Sequence, residues 1–201
     1  MQPSNHFLDN FAAHKLSLLT ECGAPDISAE NAWLNRFILT TAFTTTLPQE
    51  TMAYVFNFLR RTENAFSAYQ QARLALIEYL GSPRNVVSPY FRALLNFEVC
   101  ISQCYQGFEL LKTASRNMLY QPNDDSEMER LQKLYVVSKH TDQMIHGGKI
   151  PTEATAPLWI TNQGLESARS SISFVELADL LACTEQLVKK SLQVIATGPP
   201  P

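Results

Sequence analysis

Residues 48–80, PQETMAYVFNFLRRTENAFSAYQQARLALIEYL, predict the class of the fold. Their large apolar side chains recur with the 3.6-residue period of an α-helix, so one face of the segment is suited to a protein core. These residues are Met52, Val55, Phe56, Leu59, Phe66, Tyr69, Leu76, Ile77 and Leu80. Pro48 is expected in the first turn, where its missing N–H is not needed, and Gly81 is expected at the end. A long helix with one apolar face must pack against other elements, which indicates a helical bundle.

The same period predicts further helices on both sides of this segment. They cover residues 29–43 with Ser28 as the N-cap, 88–118, 126–147 and the region from 173 onward, and a shorter amphipathic segment covers 6–20. The helix at 88–118 has its own set of expected core residues. They are Phe91, Leu94, Leu95, Phe97, Ile101, Tyr105, Phe108 and Leu111.

Two serine–glutamate pairs mark helix starts. Ser126 with Glu129, and Ser173 with Glu176, have the spacing of a capping box, in which each side chain satisfies a free amide of the other residue. Between these helices, LWITNQGLES at 158–167 predicts a short β-hairpin.

We therefore expect an all-α protein, an up-and-down bundle of five to six helices with a small β-hairpin before the last helix. The whole chain, residues 1–201, is expected to form this single domain, with a flexible tail at about 197–201.

Composition narrows the classes of function. The net charge is −3 and the 16 Lys and Arg residues are spread along the chain, which argues against a general polyanion binder. No window approaches the ~20 apolar residues of a membrane-spanning helix, and the N-terminal sequence lacks the pattern of a signal peptide. Cys100 and Cys104 lie one helical turn apart and are expected to pack as small apolar residues. A cytoplasmic protein without a cofactor is expected.

The segment YVVSKHTDQMIHGG, residues 135–148, gathers the candidates for a site. In one continuous helix, Lys139, Asp142 and His146 lie on one stripe, whereas His140 lies about 100° away. A lysine beside a histidine supplies a cation for an anion and a base for proton transfer near neutral pH. The alternative is a solvated helix end, with His140 half-buried and hydrogen-bonded to a backbone carbonyl. Asp142 and His146 are too few ligands for a metal site, so no metal is expected.

Arg73 and Glu63 fall on or beside the apolar face of the 48–80 helix. An arginine in such a place pairs with a carboxylate, for example Glu98 or Glu109 on the next helix, or directs its planar fork at a phosphate in a cleft. The sequence leaves both alternatives open.

The run ERLQKLYVVSKHTDQMI, followed by APLWITNQGLES and a capped last helix, resembles the C-terminal half of HEPN-type bacterial proteins. The resemblance rests on Tyr135, Ser138, Lys139, His140 and the hairpin, and the order of elements agrees over roughly residues 88–196. It implies a helical bundle that dimerises across the face bearing its motif. It also implies metal-independent ribonuclease activity or RNA binding in toxin–antitoxin or phage-defence systems.

Active members of that family use an arginine to hold the scissile phosphate and a histidine, a few residues later, as acid or base on the ribose 2′-hydroxyl. This chain differs from the pattern, because its nearest upstream arginine, Arg130, is too far from His140. Only lysines precede the histidines at a comparable distance: Lys133 before His140, and Lys139 before His146. Lysine holds a phosphate as a point charge but lacks the planar fork.

Two hypotheses follow. In the first, the protein binds or cleaves RNA in prokaryotic stress or defence, and its partners are RNA, a second copy as a homodimer, or a protein such as an antitoxin. Its site residues are then His140 and Lys139 as catalytic groups, with Arg73 and His146 as substrate contacts. In the second, it is a non-enzymatic helical scaffold that works as a homo-oligomer or with a protein partner.

Overall fold

The computed structural model describes residues 8–27, 32–44, 48–83, 86–115, 120–148, 150 and 155–197. Six α-helices lie within these residues: α1 (Trp33–Thr44), α2 (Gln49–Gly81), α3 (Ser88–Ser115), α4 (Glu127–Lys139), α5 (Thr141–His146) and α6 (Phe174–Thr197). A three-stranded antiparallel sheet precedes α6, with β1 (Leu158–Ile160), β2 (Gly164–Ser167) and β3 (Ser171–Ser173) in that order. The predicted all-α bundle with a small hairpin before the last helix is confirmed, and β3 is an addition to it.

Three predicted features lie outside the described residues: the Ser28 cap, the end of the second long helix at 116–118, and the tail beyond Thr197. The expected amphipathic segment at 6–20 is described from Leu8 onward. It forms two short turns, Leu8–Ala12 and Leu16–Leu18, in place of one helix.

The α2–α3 hairpin forms the centre of the bundle, and α4, α6 and the sheet pack around it. Ring contacts connect its layers: Tyr69 of α2 meets Phe97 of α3 at 5.9 Å between centroids, and Phe97 meets Phe174 of α6 at 5.0 Å. On one side of α6, Phe174, Leu177, Leu181, Val188 and Ile195 are buried.

The prediction for the core face of α2 was wrong in part. Phe56 and Ile77 are 36% and 43% exposed, whereas Phe58 and four alanines are buried. These alanines are Ala65, Ala68, Ala72 and Ala75. Small side chains at a helix contact let the two backbones come close, and a search for large apolar residues does not detect them. The same error occurs in α3, where Phe91 and Leu95 are exposed while Ala93 is buried.

The two capping boxes differ. At α6 the exchange is reciprocal, since Glu176 N–H donates to Ser173 Oγ at 3.1 Å and Ser173 N–H donates to the Glu176 carboxylate at 2.8 Å. At α4, Ser126 Oγ accepts from Glu129 N–H at 3.3 Å, but the Glu129 carboxylate accepts from loop amides of Asn123 and Asp125 instead. The expected return bond to Ser126 is therefore wrong, and Glu129 holds the preceding loop.

The predicted helix 126–147 is broken at His140, whose backbone angles are φ −115° and ψ 43°. Two hydroxyl groups bond to carbonyls just before the break: Ser138 Oγ donates to Tyr135 O at 3.0 Å, and Thr141 Oγ1 donates to Ser138 O at 3.1 Å. Such bonds compete with the helical amides for the same carbonyl oxygens and bend helices. The break lies beside these two bonds, and α5 is a separate helix.

Residues 20–27, which we call the N-terminal strap, connect the hairpin to α2. Asn162 at the tip between β1 and β2 accepts from Thr20 N–H through its side chain at 2.9 Å and from Gly23 N–H through its carbonyl at 3.1 Å. On the other side, three α2 side chains donate to carbonyls of the strap. They are Tyr69 to Pro25, Gln70 to Ile27 and Arg73 to Ala24, at 3.0–3.1 Å.

The strap has no room for a side chain at Gly23. A Cβ at this position would lie 2.2 Å from the carbonyl oxygen of Asn162. We expect Gly23→Ala to lower the free energy of unfolding by about 1–3 kcal/mol, because the strap must leave the hairpin. Urea denaturation followed by circular dichroism measures this change.

Gly81 provides the matched control, because a Cβ there would meet no atom within 4 Å. Gly81→Ala should change the free energy of unfolding by no more than about 0.5 kcal/mol. Equal effects of the two substitutions would contradict the contact between the strap and the hairpin.

Candidate functional site

Lys139 is the last residue of α4 and is exposed. Its ammonium group lies 5.6 Å from the ring centroid of Tyr135, one turn earlier on the same helix. A cation at this distance is attracted by the negative face of an aromatic ring. The position of Lys139 is therefore tied to the α4 face that carries Tyr135.

The two histidines do not share a helix with one another or with Lys139. His140 is the half-buried residue at the junction of α4 and α5, and His146 is the exposed last residue of α5. Within the described ranges, neither imidazole has a hydrogen-bond partner, so the expected bond from His140 to a backbone carbonyl is not formed there. The break separates Lys139 on α4 from Asp142 and His146 on α5, so the continuous helix assumed for their common stripe is not formed.

Arg73 is already bound by the chain itself. Its Nε donates to Ala24 O at 3.0 Å, and its Nη1 lies 3.3 Å from the carboxylate of Asp26. The alternative that it pairs with a carboxylate is thus the right one, but the partner belongs to the N-terminal strap and not to α3. Its predicted role as a phosphate contact would require it to leave these partners.

Glu63, the other polar residue near the α2 core face, serves a neighbouring helix. Its carboxylate accepts from the backbone N–H of Leu34 at 2.8 Å, in the first turn of α1. A carboxylate at a helix N-terminus satisfies a free amide and is favoured by the helix dipole. Glu63 therefore has a structural role.

The structure brings together a set of polar and aromatic residues that we call the tyrosine cluster: Arg61, Tyr105, Glu109, Tyr135 and Lys139. The rings of Tyr105 on α3 and Tyr135 on α4 stack at 4.8 Å between centroids with an angle of 30°. The hydroxyl of Tyr105 donates to Glu109 at 3.0 Å. Four of the five members are half-buried and Lys139 is exposed, so the cluster is open to solvent at the surface where α2, α3 and α4 meet.

Arg61 contributes a second cation to the cluster from α2. Its Nη1 donates to the side-chain carbonyl of Gln103 at 3.0 Å. Burial and the neighbouring charge of Arg60 lower the pKa of Arg61, while Tyr135 acts in the opposite direction. A groove of about 260 Å³ beside it is lined by Asn57, Arg61, Gln106, Glu109, Leu110 and Thr113.

Burial and the bond to Glu109 raise the pKa of Tyr105, so its hydroxyl stays protonated and can act as a donor at neutral pH. The cluster can thus offer two cations, two aromatic rings and one carboxylate to a ligand. Its arrangement suits binding through stacking and charge.

Sequence reasoning missed Arg61 and assigned Tyr105 to the core. The tandem Arg60-Arg61 within a helix otherwise facing the core was a signal for a cation at the α2–α3 groove. Tyr105 follows the apolar period of α3, which does not distinguish a buried ring from a half-buried one.

A second polar cluster joins the N-terminal turns to the sheet. Glu166 accepts from Lys15 Nζ at 3.0 Å and from Trp159 Nε1 at 3.2 Å. His14 meets the Trp159 ring edge-on at 4.7 Å between centroids. Since these groups already bind one another, the cluster holds the N-terminal turns against β1 and β2.

Other chemistry is limited in the part of the chain that the structure describes. No three His, Cys, Asp or Glu side chains come together there as metal ligands, and no helix there is long and apolar enough to cross a membrane. Cys100 and Cys104 are buried as predicted, and burial raises the pKa of both thiols.

Comparison with models of protein families, with curated proteins and with solved structures finds no match. The resemblance to HEPN-type proteins stays a prediction, based on Tyr135, Ser138, Lys139, His140 and the hairpin.

Glu98 gives a prediction for the pH dependence of stability. Its carboxyl is partly buried on α3, and desolvation raises its pKa from 4.5 to about 7. The folded protein therefore retains a proton that the unfolded chain releases, so the free energy of unfolding falls as the pH rises from about 4.5 to 7. Glu98→Gln should remove this part of the slope and make the protein more stable than the wild type at pH 8.

Urea midpoints measured between pH 4 and 8 test this expectation. Glu50→Gln, at an exposed position in the first turn of α2, is the control and should leave the slope between pH 4.5 and 7 unchanged. A Glu98→Gln profile parallel to that of the wild type would show that desolvation at this site does not control the stability.

Proposed function

We propose that the protein binds single-stranded RNA at the tyrosine cluster, and that binding is its principal activity, with cleavage secondary or lost. The observation that carries the proposal is the stacked Tyr105–Tyr135 pair, with Lys139 over one ring and Arg61 on the adjoining helix. Single-stranded nucleic acids are held by aromatic rings that stack on bases and by cations that contact phosphates. The stress or defence context belongs to this proposal through the HEPN resemblance alone, and the cytoplasmic location is carried over from the expectation based on composition.

For a base to stack on the Tyr135 ring, the Lys139 ammonium must leave that ring, and it can do so because it is exposed. A base takes its place on the Tyr135 ring, while the ammonium moves to the adjacent phosphate. Arg61 then contacts a second phosphate along the groove, because its guanidinium holds only one side-chain partner, Gln103, among the described residues. The Tyr105 hydroxyl already donates to Glu109, so the phosphate contacts of this binding mode are Arg61 and Lys139.

Cleavage has less support than binding. In the catalytic hypothesis His140 acts as acid or base, Lys139 and Arg73 hold the phosphate, and His146 contacts the substrate. Lys139 lies against Tyr135, and Arg73 is engaged by Ala24 and Asp26. Lys139 could move to a phosphate as in the binding mode, but Arg73 would have to leave Ala24 and Asp26 to reach a phosphate next to His140.

Fluorescence anisotropy with a short, labelled, mixed-sequence single-stranded RNA tests the binding proposal. Lys139→Gln should weaken binding and reduce the slope of log K against log salt by about 0.7, the contribution of one phosphate contact in a single strand. Tyr135→Leu, which keeps an apolar side chain against Tyr105, should weaken binding about tenfold through the loss of stacking.

Lys189→Gln is the matched control, because Lys189 is an exposed lysine on α6 that pairs with Glu185 away from the cluster. It should leave affinity and salt slope nearly unchanged. Equal losses for Lys139→Gln and Lys189→Gln would mean diffuse electrostatic attraction, and absence of binding at low salt would overturn the proposal.

The same RNA incubated with EDTA separates binding from cleavage. Binding alone predicts an intact RNA. Cleavage that survives EDTA and disappears in His140→Ala would instead establish the catalytic hypothesis, because the imidazole is its acid or base.

A second candidate function, a non-enzymatic interaction protein, is favoured by a different observation. Large apolar side chains are exposed on consecutive turns of α2 and α3, which we call the outer apolar face. Its members are Leu74, Ile77, Phe91, Leu95 and Val99. Contiguous exposed apolar residues of this kind mark protein interaction sites.

A further inference from the structure

The outer apolar face has a regular arrangement across the α2–α3 hairpin. Leu74 and Leu95 are its most exposed members, at 63% and 59%. On each helix the members are three or four residues apart, so they project to the same side. An exposed ion pair between Glu78 of α2 and Arg92 of α3 lies on this side, one turn from the two leucines.

Contacts between the helices establish which residues are level with each other. Tyr79 meets Tyr90 at 5.6 Å between centroids, and Tyr69 meets Phe97 at 5.9 Å. Because the helices are antiparallel, Leu74, midway between Tyr79 and Tyr69, is level with the turn that carries Leu95. Each level of the face thus holds two residues of matching kind: an acid with a base, and a leucine with a leucine.

We propose that a second copy of this chain covers the outer apolar face in a two-fold symmetric dimer. This inference rests on the second candidate function and names its partner. The two-fold axis of this dimer runs parallel to α2 and α3 and lies between the two copies. It places α2 of one copy opposite α3 of the other, so that residues at the same level face each other. Glu78 then opposes the partner's Arg92, and Leu74 opposes the partner's Leu95, so that the charges and the apolar groups both match.

The charge pattern is the reason for preferring a second copy to a foreign protein. When the pair Glu78 and Arg92 is rotated about this axis, each acid faces a base of the other copy. An unrelated partner would need its own base opposite Glu78 and its own acid opposite Arg92. This dimer is also distinct from one across the face bearing Lys139 and His140, because the outer apolar face lies toward the α2–α3 turn and the tyrosine cluster lies toward the other end of the hairpin.

Size-exclusion chromatography with light scattering, over a range of concentrations, tests the proposal. The wild type should be a dimer, and Leu74→Lys or Leu95→Lys should weaken its association about tenfold or more. Both leucines are exposed in the monomer, so the fold should be unaffected by these changes. Val175→Lys is the control, because Val175 on α6 is 58% exposed and lies outside the face.

Charge exchange tests the predicted axis. Glu78→Arg alone and Arg92→Glu alone should each weaken the dimer, since each variant places like charges opposite one another. A mixture of the two variants should form a heterodimer as tight as the wild-type dimer, because every acid then opposes a base again. If each single variant dimerises as tightly as the wild type, or if the mixture fails to associate, the proposed arrangement is wrong.

A monomeric wild type would overturn the homodimer, and a comparison of pull-downs then shows whether the interaction function also fails. A defined partner that is captured by the wild type and lost in Leu74→Lys would overturn the homodimer alone. Identical captures by both proteins would overturn the interaction function as well. RNA binding is measured independently, and Leu74→Lys should not change it.

Discussion

The close packing of α2 against α3 is the contact on which the other elements depend. Alanines along the inner face of α2 and cysteines on α3 keep the interface narrow over several turns. Two large rings of α3 connect this pair of helices to other elements. Phe97 contacts Phe174 of α6, and the Tyr90 hydroxyl accepts a hydrogen bond from the Ile160 N–H of β1 at 3.1 Å.

Much of this fold could be predicted from the sequence because the signals are local. Helix periods identified α2, α3 and α6, and the Ser173–Glu176 pair identified the start of α6 with its reciprocal bonds. The failures concern choices that depend on neighbours. Glu129 binds loop amides rather than that of Ser126, and Ile77 is 43% exposed although Phe66, Tyr69 and Leu76 of the same predicted stripe are buried.

The candidate site was less predictable than the fold. Lys139 was recognised from its position beside His140, but its contact with Tyr135, one turn earlier on α4, was not predicted. Arg61 comes from a helix about 75 residues earlier in the chain, and no spacing rule relates it to Tyr135. Arg73 was a candidate phosphate contact because of its place on the core face of α2. The strap that binds it could not be predicted, because residues 20–27 have neither a helical nor a strand pattern.

The N-terminal strap lies next to a hairpin tip that is distant in sequence, since Thr20 and Asn162 are 142 residues apart. Contacts of such separation raise the contact order and require the closure of a long loop, which slows their formation. During synthesis on the ribosome, Tyr69 emerges 44 residues after its strap partner Pro25, whereas Asn162 emerges 142 residues after Thr20. One side of the strap can therefore acquire its native contacts long before the other side can.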